Sequence, residues 1–296
     1  MKTLVTGGTG LVGRYIVETL LEAGHDVTVA GRNPPADGLF PYTVGFKAAT
    51  LDPEGIDEDL FAGIDAVVHT AFDHLPGRYR GGEGDDPDRF RRINLDGSVR
   101  LFEAAKRAGV KRFVFLSSRA VYDGIAPGTR LTEDLSLQPT SLYGEIKLIG
   151  EQALAALNAP GFATASLRLT GVYGDLRPNK WDGLFADYLA GRAIPVRAGS
   201  EVHGRDAARA VRLMLEAGPE LVGGQSFNVS DLVADTRDIL APLKAAGSGL
   251  PALPATAEKA EVREMDTGKI RSLGWQPGGW PLFGETLRQL AETTER

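Results

Sequence analysis

The chain contains no cysteine. That excludes disulfides, thiolate nucleophiles, iron–sulfur clusters and cysteine-ligated zinc, and it fits the reducing cytoplasm, which is the expected location. A basic excess is lacking as well: 33 lysines and arginines face 39 aspartates and glutamates, giving a net charge of −6 and a pI near 5.4. No broad nucleic-acid-binding face is expected from such a balance, although it is compatible with a local basic pocket for a small anion. Long apolar runs are also absent. No segment approaches the roughly 18 apolar residues of a membrane span. The opening MKTLVTGGTG breaks into glycines too soon for a signal peptide, so no membrane partner is expected. Only four histidines occur, no pair has helical metal-binding spacing, and no metal is predicted. His69 reads as a packing residue within a strand and His25 as part of a turn.

What is present is an average globular composition, 43% apolar and 24% charged over 296 residues, enough for one large domain or two modest ones. Residues 3–6 give a short apolar strand signal. The glycines Gly7, Gly8, Gly10 and Gly13 follow, and then a helical period runs through Val12, Ile16, Val17, Leu20 and Leu21. The alternation continues with strands at HDVTVA, YTVGF and DAVVHTA, a long helix from about 88 to 108, and a strand at RFVFLSS. A helix carrying Leu142, Ile146, Ile149 and Leu154 comes next, then the strand TASLRLTGV, a helix around 206–216 and the strand SFNVS. Strands alternating with helices predict an α/β, Rossmann-like, doubly wound parallel sheet covered on both faces. The stretch from about 73 to 88, rich in Gly, Pro and charge, reads as an exposed loop bordering the ligand crevice of such a sheet. The expected division is a dinucleotide-binding domain of residues 1–171 plus about 202–230. Residues 172–201 and 231–296 form a small, discontinuous substrate domain.

Gly8-Thr9-Gly10-Leu11-Val12-Gly13 fits G-x-G-x-x-G, and Gly7, Gly10 and Gly13 fit G-x-x-G-x-x-G. Between a strand and an apolar helix, these glycines permit a tight turn and a close backbone approach to a pyrophosphate lying on the helix amides. Gly7, Thr9, Gly10, Leu11, Val12 and Gly13 are therefore expected at a dinucleotide. About 20 residues further on, where an acid would hold a ribose 2′-hydroxyl, stand Gly31, Arg32 and Asn33. Without an acid, and with a guanidinium able to pair with a 2′-phosphate, the expected cofactor is NADP, with NAD as the alternative. Tyr143 and Lys147, at i and i+4, share one helix face, where a nearby ammonium lowers a phenol's pKa and favours proton exchange. Ser117 and Ser118 end the strand KRFVFLSS, where a hydroxyl can orient a carbonyl or alcohol. His74, Arg78, Tyr79 and Arg80 read either as the substrate mouth or as a solvated loop, and Arg89, Arg91 and Arg92 as an exposed helix face.

Over nearly its whole length the chain resembles the extended short-chain dehydrogenase/reductases, the NAD-dependent epimerase/dehydratase group. The resemblance rests on LVTGGTGLVG, DAVVHTA, NLDGSVRLFEAAKRAGVKRFVFLSSRAVY, SLYGEIK, LRLTGVYG, VHGRDAARAV, FNVSD and LGWQP. It implies a Ser118–Tyr143–Lys147 active site, with Tyr143 as acid/base and Lys147 also touching the nicotinamide ribose. It implies a supporting role for Asn94, or else a helix-bend residue there. Further cofactor contacts are implied at Thr70 and Ala71, and substrate contacts at Phe72, His74, Arg119, Tyr173, Arg177, Asn179 and Trp181. A homodimer acting on a small-molecule substrate is expected.

Two departures bear on that substrate. Many nucleotide-sugar relatives carry an asparagine where this chain has Gly171, and an arginine where it has Ala198-Gly199-Ser200-Glu201. The acid that often follows the third strand and receives the adenine is replaced by Ala48-Ala49-Thr50. The expected activity is therefore NAD(P)-dependent hydride transfer at a secondary alcohol or ketone carbon of a small, sugar-like substrate. The alternatives are a nucleotide-sugar epimerase or dehydratase that retains NAD, and a non-catalytic dinucleotide-sensing protein. Relatives of that last kind often lose the Tyr/Lys pair, which this chain keeps.

Overall fold

The computed structural model describes residues 1–75 and 81–294, so Arg78, Tyr79 and Arg80 lie outside the described residues. Seven strands form one sheet: β1 (Lys2–Thr6), β2 (Asp26–Gly31), β3 (Gly45–Ala48), β4 (Ala66–His69), β5 (Arg112–Ser118), β6 (Ala163–Leu169) and β9 (Gln225–Val229). Their order is β3-β2-β1-β4-β5-β6-β9, with every pair parallel. β1 has β2 on one side and β4 on the other. The chain therefore reverses its winding there, which opens a crevice at the strands' carboxyl ends. Val5, Val68, Leu167 and Phe227 face one core with Ile16 and Leu20 of α1 (Leu11–Glu22) and Val211 of α6 (Gly204–Glu216). Leu4, Val67, Phe113 and Phe115 face another with Leu101 and Phe102 of α3 (Gly97–Arg107) and Leu154 of α4 (Leu142–Ala156). Burial on both faces explains why these strands read as continuous apolar runs.

Three local readings are corrected. The strand expected at YTVGF lies further on, at Gly45–Ala48, because pairing with β2 runs from Thr28↔Gly45 to Gly31↔Ala48. This edge strand is at best half-buried, so the apolar pattern marks its approach better than its ladder. The helix expected from about 88 to 108 is α2 (Pro87–Arg91), a wider π-turn at Arg92–Asp96, and α3. At the join Gly97 packs on the 51 loop so closely that a Cβ would lie 1.9 Å from the Leu51 carbonyl oxygen. TASLRLTGV is two strands. β6 ends at Leu169, and β7 (Gly171–Tyr173) belongs to a second sheet, with Thr170 between them bonded to Ser200.

That second sheet is ordered β10-β8-β7, with β8 (Ala198–His203) parallel to β7 and antiparallel to β10 (Leu232–Asp235). Tyr173, Trp181, Phe185 and Leu240 pack beneath it with Phe283 and Leu287. Tyr173 is on β7, and the others come from α5 (Asp182–Leu189), α8 (Thr236–Ala246), α10 (Gly279–Thr293) and the residue before α5. The short helices α7 (Pro219–Val222) and α9 (Gly268–Ser272) return to the first core, where Val222, Ile270 and Trp275 are buried.

Candidate active site

A cleft of about 1810 Å³ opens along the carboxyl ends of β1, β4, β5 and β6 and reaches β7 and β8. The glycine turn forms one wall. Gly7 takes a left-handed φ of 69°, and its N–H donates to the Ala30 carbonyl at 3.0 Å. A Cβ at Gly13 would sit 2.2 Å from the Gly7 carbonyl oxygen, so only glycine lets the first turn of α1 pack against the loop. Gly10 caps α1 with extended backbone and no side-chain bond, so no side-chain cap competes for the orphan amides of the first turn. These features fit a pyrophosphate on the helix N-terminus, held by the loop backbone. Thr9, Leu11, Val12, Thr70, Ala71 and Arg32 line the same cleft. The Arg32 side chain is 81% exposed, 4.0 Å from Asp73. Asn33 is exposed and does not line the cleft.

Ser118, Tyr143 and Lys147 line the same cleft. Lys147 is buried. Its Nζ donates to the Leu116 carbonyl at 2.8 Å and lies 4.6 Å from the ring centres of both Phe72 and Phe115. Burial pulls its pKa down to about 7, opposed by the Glu151 carboxylate one turn along α4. Tyr143, one turn the other way, packs edge-on against Phe72 with ring centres 5.1 Å apart. Ser141 caps α4 by accepting from the Gly144 N–H at 3.1 Å, which fixes where this helix begins. The two serines separate cleanly: Ser117 is buried and donates to Glu151, whereas Ser118 is half-buried and its Oγ accepts the Ala120 N–H at 3.1 Å. A hydroxyl that accepts one bond still has its own proton to give.

Asn94 is buried in the π-turn and does not line the cleft. Its amide donates to the carbonyls of Asp73 (2.8 Å) and Phe90 (3.0 Å) and accepts the Asp73 N–H at 2.7 Å, so it clamps the backbone next to Phe72. Phe72 and His74 line the cleft, as does Arg119, which donates to the Arg263 carbonyl at 3.0 Å. Asn179 lines it too, but its amide serves its own loop through the Gly174 carbonyl and the Trp181 N–H. The remaining expected substrate contacts do not reach the cleft. Tyr173 and Trp181 are buried and stacked at 5.3 Å in the second core, because the strand pairing and aromatic packing there claim both rings. Arg177 turns away to Asp182 and the end of α10, bonding Thr293 at 3.1 Å.

Arg89, Arg91 and Arg92 are more than a solvated face. They pair with Asp73, Glu145 and Asp52 respectively, and Arg89 and Arg92 line the cleft. His69 is buried between Thr6 (2.6 Å) and Ser98 (2.9 Å), and His25 bonds Thr3 at 3.0 Å. Among the described residues, no three His, Cys, Asp or Glu side chains form a metal-holding group. The sequence reading missed Lys180, Arg197, Glu201 and Arg263 in the cleft wall. Glu201 had a signal, since it closes the stretch that departs from nucleotide-sugar relatives. Arg263 had none, because it sits in an irregular segment far along the chain.

Residues 3–230 match the sequence profile of the NAD dependent epimerase/dehydratase family. The chain is 29% identical over 317 residues to the UDP-glucose 4-epimerase of Corynebacterium glutamicum, covering 94% of this chain and 91% of that one. It is 32% identical over 211 residues to a 3-beta-hydroxysteroid dehydrogenase of Mycolicibacterium neoaurum, covering 68% of this chain and 55% of the relative. The crystal structure of Thermus thermophilus UDP-glucose 4-epimerase with NAD superposes with a TM-score of 0.77 at 26% identity, covering 99% of this chain and 98% of that one. The parallel sheet, the glycine cradle and the family match agree, and the chain belongs to the NAD-dependent epimerase/dehydratase family of extended short-chain dehydrogenase/reductases, a family of nicotinamide-dependent enzymes.

Proposed function

We propose that this enzyme is an oxidoreductase that moves hydride at a secondary alcohol or ketone carbon. The observation that supports this reading is that Ser118, Tyr143 and Lys147 line the same cleft as the glycine cradle. Tyr143 exchanges the proton of the substrate oxygen, and Ser118 donates to that oxygen and fixes it. Lys147, in its protonated form, favours the deprotonated phenol by its charge, and it bonds the Leu116 carbonyl. The nicotinamide, when bound, supplies the hydride chemistry. Gly7, Thr9, Gly10, Gly13, Thr70 and Ala71 hold the dinucleotide, and Arg32 pairs with a 2′-phosphate, making NADP the preferred form. Residues 172–201 and 231–296 supply the substrate side, with Phe72, His74 and Arg119 opposite. Asn94 acts by holding the Asp73 backbone.

The test is turnover of a panel of alcohols and ketones with NADP(H) and NAD(H). Tyr143→Phe, which removes only the ionisable oxygen, is expected to lose about 100-fold or more in turnover while cofactor binding persists. Near-normal turnover by this variant sinks the mechanism. A second reading, an epimerase that retains NAD, is favoured by the near-full-length match to a relative named UDP-glucose 4-epimerase. Protein purified with stoichiometric NAD and no net redox turnover supports that reading instead.

A further inference from the structure

We infer that the part of the cleft walled by β7 and β8 takes a small hydroxylated substrate without a diphosphate, and that the Glu201 carboxylate accepts one of its hydroxyls. This rests on the oxidoreductase reading above and names its substrate class. Glu201 on β8 stands in register with Gly171 on β7, and its carboxylate occupies the space over that glycine. A Cβ at Gly171 would lie 2.7 Å from Glu201 Oε2, so the missing side chain is what admits the acid. The Glu201 side chain is only 12% exposed, and Oε2 accepts from Lys180 Nζ at 2.5 Å. The charge of Lys180 is thereby balanced inside the wall.

The other described cations of this region have protein acceptors or stand at the rim. Arg263 donates to the Ile125 and Ala126 carbonyls, Arg119 donates to the Arg263 carbonyl, and Arg197 is exposed. Diphosphate sites gather forked guanidiniums or helix N-termini with donors to spare. Here Lys180 is already held by Glu201, so a phosphate would have to compete with that carboxylate for it. Burial raises the pKa of Glu201 against the opposing pull of the Lys180 ammonium. With one oxygen held in that pair, the other offers acceptor positions, which suits the hydroxyls of a sugar, polyol or lactone. The neighbouring Ser200 and Thr170 hydroxyls bond each other at 2.5 Å, leaving Glu201 as the strong acceptor here.

The experiment is calorimetric titration of UDP and UDP-glucose into the full chain, wild type and Glu201→Gln, with NADPH and NADH titrated separately into the same proteins. Wild type is expected to give no UDP or UDP-glucose binding into the millimolar range. Glu201→Gln keeps the shape, removes the charge, and is expected to bind UDP at least about tenfold more tightly. In parallel, thermal unfolding with NADPH is followed with D-glucose, D-galactose, D-xylose and D-glucono-1,5-lactone. At least one should stabilise wild type, and stabilise Glu201→Gln less. Micromolar UDP-glucose binding by wild type overturns the proposal without recourse to any variant. Equal UDP binding by the two proteins, or a sugar panel with no effect, overturns the role of Glu201. Failure of both dinucleotides to bind sinks the oxidoreductase reading and leaves the UDP comparison legible.

Discussion

Arg168 on β6 grips Glu151 on α4 through two nitrogens, Nε at 3.1 Å from both carboxylate oxygens and a terminal nitrogen at 2.7 Å from Oε2. Both side chains are buried. Ser117 and Ser226 donate to the same carboxylate, and Arg168 donates to the Tyr122 hydroxyl at 2.7 Å, which in turn donates to Asn228 Oδ1 at 2.8 Å. Burial alone would make the guanidinium easier to deprotonate, but the carboxylate outweighs it and raises its pKa. Glu151 lies one turn beyond Lys147, so this ionic network lies directly behind Lys147 on α4.

Breaking that network from one side leaves a buried charge alone. Glu151→Leu should cost about 3–5 kcal/mol of unfolding free energy by urea denaturation. The double variant Glu151→Leu with Arg168→Met should recover much of the loss, because no unpaired ion then remains. A double variant as unstable as Glu151→Leu contradicts the assignment of the cost to the orphaned guanidinium.

Lys147 gives the cofactor-free protein a pH signature. Its pKa is about 7 folded, against the ordinary 10.5. Between these values the unfolded chain holds a proton that the folded chain has released, so stability rises with pH across that window. Below about 7 both forms are protonated and the contribution is flat. Melting temperatures from pH 7 to 10 should therefore rise in wild type relative to Lys147→Met, and parallel profiles for the two proteins would refute the depressed pKa.

For cofactor choice, a charge-assisted pair between Arg32 and a 2′-phosphate contributes about 1.5–3 kcal/mol, so NADPH should bind about tenfold to a hundredfold better than NADH. Arg32→Ala should erase the difference while leaving NADH affinity unchanged. Fluorescence titration reads both, and a wild-type preference for NADH would remove Arg32 from the phosphate site.

Gly13→Ala is expected to abolish dinucleotide binding. Its methyl would sit 2.2 Å from the Gly7 carbonyl oxygen, forcing the first turn of α1 off the loop. By contrast, Gly24→Ala, where an added Cβ meets nothing within 4 Å but φ is 78°, should cost stability and spare binding. Equal binding losses in the two variants would show that the cradle's close packing is not what matters.

The parts of this molecule legible in the sequence were those written by local rules. Gly7, Gly10 and Gly13 announce the cradle because backbone approach demands glycine, and Tyr143 and Lys147 announce a shared face because helical spacing demands it. The buried strands β1, β4 and β5 were equally plain. What escaped depends on partners far away in the chain. Nothing in RINLD signals a π-turn, within which Asn94 bonds the Asp73 backbone. Tyr173 and Trp181 follow β6 where substrate contacts were expected, but aromatic stacking and Phe283 from α10 draw them into a core. Ser117 and Ser118 are neighbours in sequence, and only the Glu151 carboxylate on another element tells them apart.

The passage of the chain at Thr170 from one sheet to the other makes the site a matter of counting. Ser118 is paired with Leu169 in the large sheet, and Glu201 is paired with Gly171 in the small one. A single residue, Thr170, separates the two ladders, so the Ser118 hydroxyl and the Glu201 carboxylate are spaced by backbone length alone. Substitutions in the walls change what the cleft touches. One residue added or removed between Leu169 and Gly171 would instead slide one sheet's contribution past the other and turn its side chains to the opposite face. Diversification of substrate in such a framework is open to point changes on β7 and β8 and closed to changes of length at their junction.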